Sequence, residues 1–228
     1  MPPPFRIGVV ADSHVGEYLE RIPDEALAAL SGSDLILHAG DLSVPSVLEE
    51  LTDIAPVVAV RGDHDPPGTG LPTDVVLRVA GKRIGLTHGN RAGVIDGSVI
   101  AVDVIAGRHV GWTAGLERAM ARRLGRVDCV VFGHWHRPII GRVADTLCFS
   151  PGALCPWGSL EGGAHPRRGL DGIADRGVRR YRWQLGPDAM RPRIGMLHVH
   201  SGGIEATSIP LQRDASARVA TSHEEASR

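Results

Sequence analysis

Five short apolar runs, each closing on a cluster of Gly, Asp or His, recur along this chain: Ile7 to Ala11, Leu35 to His38, Val57 to Val60, Arg83 to Thr87 and Asp128 to Phe132. Runs this short, rich in β-branched residues, read as buried strands rather than helices. Helical spacing appears between them, over Pro23 to Leu30, Pro45 to Leu51 and Leu116 to Leu124. The first two of these open on a proline, which suits a first helical turn because its missing N–H has no intrahelical partner there. Alternating strands and helices predict an α/β fold. Val75 to Ala80 beside Arg83 to Thr87 predicts a hairpin turning on Gly81 and Lys82, so the sheets are expected to be mixed.

Thr146 to Phe149 continues the strand pattern, after which residues 152–193 are rich in Gly, Pro and Arg and show no sustained period. The expectation is an irregular insertion within a single domain spanning 1–211. A closing hairpin of Gly195 to Val199 and Ile204 to Pro210 follows, then a disordered polar tail over 212–228. A chain of 228 residues buries enough surface to stand without disulfides or a structural metal. A metal in such a protein therefore serves function. The three cysteines, Cys129, Cys148 and Cys155, lack metal-type or framework spacing and predict free thiols in a reducing compartment. Proline-rich Met1 to Phe5 carries no basic leader, and no apolar run is long enough to cross a membrane; a cytoplasmic protein without membrane contact is expected.

The ends of the predicted strands supply Asp12 and His14, Asp41, Asp63 with His64 and Asp65, His88, and lastly His134 and His136. Any one of these alone reads as readily as a hydrogen-bonded core residue or a helix cap. Successive strand ends carrying the same ligand types do not. Carboxylates mixed with imidazoles, and no thiolates, suit two divalent ions drawn from manganese, iron or zinc. In Asp12-Ser13-His14 and His134-Trp135-His136 an extended backbone would point the outer residues the same way. Gly40, Gly62, Gly89 and Gly133, each beside a candidate ligand, would let backbone approach a crowded centre.

These blocks, Asp12-Ser13-His14, Gly40-Asp41, Gly62-Asp63-His64-Asp65, His88-Gly89 and Gly133-His134-Trp135-His136, resemble the pattern of the calcineurin-like metallophosphoesterases, and within them the small bacterial and archaeal phosphodiesterases. The resemblance implies a four-layer α/β/β/α sandwich with mixed sheets. It implies one metal held by Asp12, His14 and His136, another by Asp63, His88 and His134, and Asp41 between them. By the same carry-over His64 sits beside the phosphate as a catalytic group and Asp65 orients it. The implied reaction is hydrolysis of a phosphodiester by in-line attack of a hydroxide shared between the ions. Asp63 stands where most active members have Asn, which implies an altered metal preference. That departure also resembles a scaffolding retromer subunit of the same family, so the alternative is a catalytically weak metal-binding scaffold or protein-interaction module.

Other signals are weaker. Asn90 after His88-Gly89 is a candidate substrate contact, with ordinary turn chemistry as its alternative. His38 reads as a hydrogen-bonded strand residue, and His198 and His200 as a surface pair without a carboxylate partner. The formal net charge of −1 argues against a bulk nucleic-acid binder. Arg167, Arg168, Arg176, Arg179, Arg180 and Arg182, interleaved with Trp157, Tyr181 and Trp183, keep a nucleic-acid contact as a less favoured reading. The partner expected is a small phosphate ester, a nucleotide among the candidates.

Overall fold

The computed structural model describes residues 3–91, 115–155, 188 and 191–212. Most of the 152–193 stretch, the Arg and aromatic residues at 157–183 among them, and the tail beyond Gln212 lie outside the described residues.

Strands β1 (Phe5–Val10), β2 (Leu35–His38) and β3 (Val57–Ala59) run parallel. Between them lie α1 (Asp24–Leu30) and α2 (Ser46–Thr52), with Pro23 and Pro45 as the residues just before the first turn. Strand β4 (Asp74–Val79) forms a hairpin with β5 (Lys82–Thr87). After α3 (Leu116–Arg123) come β6 (Cys129–Val131), β7 (Pro138–Val143) and β8 (Thr146–Pro151). The chain returns as β9 (Arg193–His200) and β10 (Gly203–Pro210). Hydrogen bonding orders these strands into two five-stranded mixed sheets, β10-β9-β1-β2-β3 and β4-β5-β6-β8-β7.

Strand alternation explains how two sheets give four layers, because successive side chains point to opposite faces. In the first sheet Ile7, Val9 and Leu37 meet Ile84, Leu86, Cys129, Val131 and Phe149 of the second, forming the core between sheets. Val10 and Ile36, one residue out of step, pack instead with Ala26, Leu30, Val47 and Leu51 of α1 and α2. On the far side Val130 and Cys148 turn outward to Met120 of α3. The arrangement is helices, sheet, sheet, helix, as the resemblance implied.

Three details differ from the sequence reading. The β4–β5 hairpin turns one residue earlier than expected, on Ala80 and Gly81, since Val79 pairs with Lys82. Both turn residues have positive φ, +47° and +80°, the left-handed pair whose twist matches flanking strands. Strand β7 was not anticipated: Pro138 and Gly141 blur its alternation, and a proline at the first residue of an edge strand gives up no ladder bond the sheet needs. His198 and His200 do have a carboxylate nearby, because Glu205 pairs with His198 and lies 3.9 Å from His200 Nε2. Among the described residues no helix is long and apolar enough to cross a membrane.

Candidate metal centre

Every residue singled out at a strand end lies on a loop leaving the C-terminal end of β1, β2, β3, β5 or β6, so both sheets deliver side chains to one edge. Backbone bonds tie these loops together. Asp12 N–H donates to Gly40 O at 3.1 Å, His14 N–H to Asp41 O at 3.0 Å, and Gly133 N–H to His88 O at 2.8 Å. Two glycines permit the approach. A Cβ on Gly40, whose φ is +92°, would stand 2.7 Å from His88 Nδ1, and one on Gly62 would collide with the Asp41 carboxylate.

The expected extended pairs are a correction. Asp12, His14, Asp41, His134 and His136 all have φ between +48° and +70°, in the left-handed region rather than the extended one. Side chains of Asp12 with His14, and of His134 with His136, converge through tight turns and not through strand alternation. Non-glycine residues held there store strain of order 1–3 kcal/mol each, which persists only where the surrounding structure over-determines it.

The convergence is close. Asp12, His14 and His136 form one group, and Asp63, His88 and His134 a second, each with one ligand atom per residue within 4.8 Å of the others. Asp12, Asp41 and His88 make a third group that overlaps both. Asp41 stands between them: Oδ2 is 3.7 Å from His14 Nε2 and 3.4 Å from His88 Nε2, while Oδ1 accepts the His64 N–H at 2.8 Å. His14 and His136 bring their Nε2 atoms to 3.4 Å. His134 faces Asp63 Oδ2 through Nδ1, at 3.3 Å.

Neighbouring groups fix these ligands. His88 donates from Nδ1 to Ala39 O at 2.8 Å, which leaves Nε2 facing the cluster. Asp12 Oδ1 accepts the His134 N–H at 2.8 Å. Among the described residues, buried Asp12 Oδ2 and His88 Nε2 have no hydrogen-bond partner, although buried polar atoms almost always have one. Carboxylate oxygens and imidazole nitrogens aimed at one volume fit divalent cations of borderline hardness. Burial pushes the Asp12 carboxyl up to about 7, with His88 and His14 opposing and Asp41 adding to the rise. Burial alone would also raise Asp41, but the adjoining His88 and His14 imidazoles outweigh it and hold that carboxylate below its ordinary range. For His88 burial is the largest influence and disfavours the cation, yet the Asp41 and Asp12 carboxylates together lift it to about 9.

Around His64 the structure departs from expectation. Asp65 does not orient its imidazole: the buried carboxylate accepts the backbone N–H groups of Asp41, Leu42, Ser43 and Gly62 at 2.7–3.0 Å, knitting the β2 and β3 loops together. The side chain that reaches His64 is Glu17, whose two oxygens each lie 3.0 Å from Nδ1. Glu17 also sits 3.1 Å from His14 Nδ1 and accepts the Ser43 hydroxyl. It joins His14 and His64 in a further cluster. The Glu17 hydrogen bond raises the His64 pKa; burial would raise Glu17 itself, but the His14 and His64 bonds pull it well below the usual range. Glu17 had no motif to mark it. Its one signal is a carboxylate three residues after His14, just past Gly16, whose φ of +81° turns the chain back.

Asn90 lies at the rim and donates from Nδ2 to Asp63 Oδ1 at 2.9 Å. His38 is wholly buried, accepts the Gly40 N–H on Nδ1 and donates from Nε2 to Ser13 Oγ at 3.1 Å; burial lowers it to about 4, so it is a neutral brace of the first loop. The stretch expected to be irregular begins in order. Leu154 and Cys155 donate their backbone N–H groups to Ala11 O and Asp12 O, with both side chains buried.

The model of the calcineurin-like phosphoesterase superfamily domain matches residues 5–164, the segment holding every loop just described. The chain belongs to that superfamily. It is 31% identical over 148 residues to a probable metallophosphoesterase of Methanothermobacter thermautotrophicus, covering 64% of this chain and 76% of that protein. A probable metallophosphoesterase of Methanocaldococcus jannaschii is 32% identical over 161 residues, covering 68% and 72%. Among solved structures, Vps29 of Chaetomium thermophilum is similar with a TM-score of 0.62 at 20% identity, covering 93% of this chain and 92% of that one. An archaeal phosphodiesterase is similar with a TM-score of 0.51 at 17% identity, covering 90% and 99%. At such identities these structures show the fold alone. The family membership carries more: this phosphoesterase has a metal-dependent hydrolase's architecture and clustered ligands to match.

Proposed function

We propose that this metallophosphoesterase binds two divalent ions, with manganese, iron and zinc the fitting candidates, and hydrolyses a phosphodiester. The observation that carries the proposal is the pair of three-residue groups flanking Asp41, with Asp12 Oδ2 and His88 Nε2 buried and unsatisfied between them. Asp12, His14 and His136 would hold one ion, Asp63, His88 and His134 the other, and Asp41 Oδ2 faces both. When bound, such ions supply Lewis acidity toward phosphoryl oxygens and an activated water.

The chain's own residues do the rest. His64, half exposed beside His14, would supply the proton or positive charge that a departing oxygen needs, and such help contributes typically 10²–10⁴-fold. Glu17 holds that imidazole through Nδ1 and favours its protonated form, leaving Nε2 for the substrate. The same carboxylate on His14 Nδ1 fixes the tautomer that presents Nε2 inward. Asp65 acts indirectly, keeping the two loops that carry Asp41 and Asp63 in register.

His64→Ala is expected to retain both ions and lose about 10²-fold or more in turnover. Asp41→Ala loses ions and turnover together, and Glu17→Ala loses roughly 10–100-fold in metal affinity or activity. Metal content measured beside diester hydrolysis separates the three. Normal turnover by His64→Ala would remove its assigned role.

The resemblance to Vps29 is the basis of a second reading, a scaffold that keeps the metal fold. Retention of His64 with its Glu17 partner favours catalysis, since a scaffold gains nothing from an oriented imidazole above the ions.

A further inference from the structure

Asp63 stands at the exposed side of the second ligand group, and its surroundings are built for a carboxylate. Its two oxygens face different neighbours. Oδ2 looks into the cluster, 3.3 Å from His134 Nδ1 and 3.9 Å from His88 Nε2, while Oδ1 accepts from Asn90 Nδ2 at 2.9 Å. An asparagine amide can turn over, but this one is fixed. Arg123 Nη1 donates to the Asn90 backbone oxygen at 3.1 Å and lies 3.4 Å from Asn90 Oδ1. A guanidinium has only donors to offer, so the amide oxygen must face it and the NH₂ must face Asp63. Arg123 is pinned in turn, its Nε 2.9 Å from Asp74 Oδ1 and 3.2 Å from Oδ2. The chain of contacts runs from the first residue of β4, through the last residue of α3, to the rim of the centre.

We propose that Asn90, oriented by Arg123, is a positioning residue that aims Asp63 at the second ion, and that this pairing makes Asp rather than Asn the fitting residue at 63. The proposal rests on the two-ion reading above. An Asn at 63 would have to choose. With its oxygen turned to the ion, its NH₂ opposes the Asn90 NH₂, donor against donor. With its oxygen turned to Asn90, it presents an NH₂ to the ion and ceases to be a ligand. Asp63→Asn should therefore weaken this site.

The test is a double-mutant cycle on Asp63→Asn and Asn90→Ala, reading the affinity of metal-stripped protein for the first and second manganese ion by calorimetric titration. Both side chains are at least partly exposed, so folding survives, and thermal melts verify it. In the parent, Asn90→Ala lowers second-ion affinity about three- to tenfold, the size of a typical net hydrogen bond. In the Asp63→Asn background the same change raises affinity, because it removes the opposed donor. This reversal of sign does not depend on the charge lost with Asp63. Arg123→Ala frees the Asn90 amide to turn and should likewise relieve Asp63→Asn. An Asn90→Ala effect of the same sign in both backgrounds, or none in either, overturns the inference while a parent that takes up two ions keeps the two-ion reading. A parent that takes up no second ion overturns both.

Discussion

Asp12 and His88 face the same pocket, and each holds its proton to a higher pH than usual. Near neutral pH the Asp12 carboxyl, pushed to about 7, is partly protonated, and His88, lifted to about 9, is mostly cationic. Metal ligation requires the carboxylate and the neutral imidazole, so uptake must expel those protons. Both folded-state values lie above the ordinary ones, and for such groups affinity for the ion falls as pH drops below about 9 and further below about 7. Calorimetry at pH 7 in buffers of differing ionisation enthalpy should report net proton release on manganese binding. Uptake without proton release would contradict this account of the two side chains. The same scale holds the residue that the sequence concealed. Glu17 belongs to no strand end and shares no spacing with the ligand pairs; the turn at Gly16 brings it to His14 and His64. Asp65 was visible but misassigned, because its sequence adjacency to His64 says nothing of the four backbone N–H groups that claim it.

The loops are only as exact as the elements they leave. Gly62 passes so near Asp41 that a methyl group there must displace the carboxylate facing both ligand groups. Gly62→Ala is expected to cost about 1–3 kcal/mol in stability, as overpacking does, and to abolish binding of one or both ions. Thermal unfolding beside metal content checks it; unaltered uptake would mean that the loop yields. At this scale the sequence was legible wherever a buried strand met its punctuation: β1, β2, β3, β5 and β6 appear as apolar runs because both faces of each are covered. Strand β7 escaped because it lies at a sheet edge, where alternating exposure and a leading proline dissolve the pattern. The turn geometry of Asp12-Ser13-His14 was hidden for a related reason. Left-handed φ at Asp and His is imposed by tertiary contacts such as Asp12 N–H to Gly40 O, which no local propensity encodes.

Across the whole molecule, two mixed sheets packed face to face bring the C-terminal ends of five strands to one edge, and the helices on either side bury the outer faces. The centre therefore draws on residues from Asp12 to His136 while resting on rigid elements. Arg123 at the end of α3 extends that support to the rim, so the outer helical layer bears on the position of a single carboxylate oxygen. A shared architecture does not fix the activity, which rests on the chemistry of the site. The central claim is that ions held by this cluster make the protein a phosphodiesterase. Its most direct test supplies metal-stripped protein with manganese, iron, zinc or magnesium, offers a chromogenic phosphodiester and a phosphomonoester, and carries Asp41→Ala alongside. The account predicts metal-dependent turnover, faster on the diester, that vanishes in Asp41→Ala. Two ions bound with neither ester hydrolysed would contradict it and favour the scaffold.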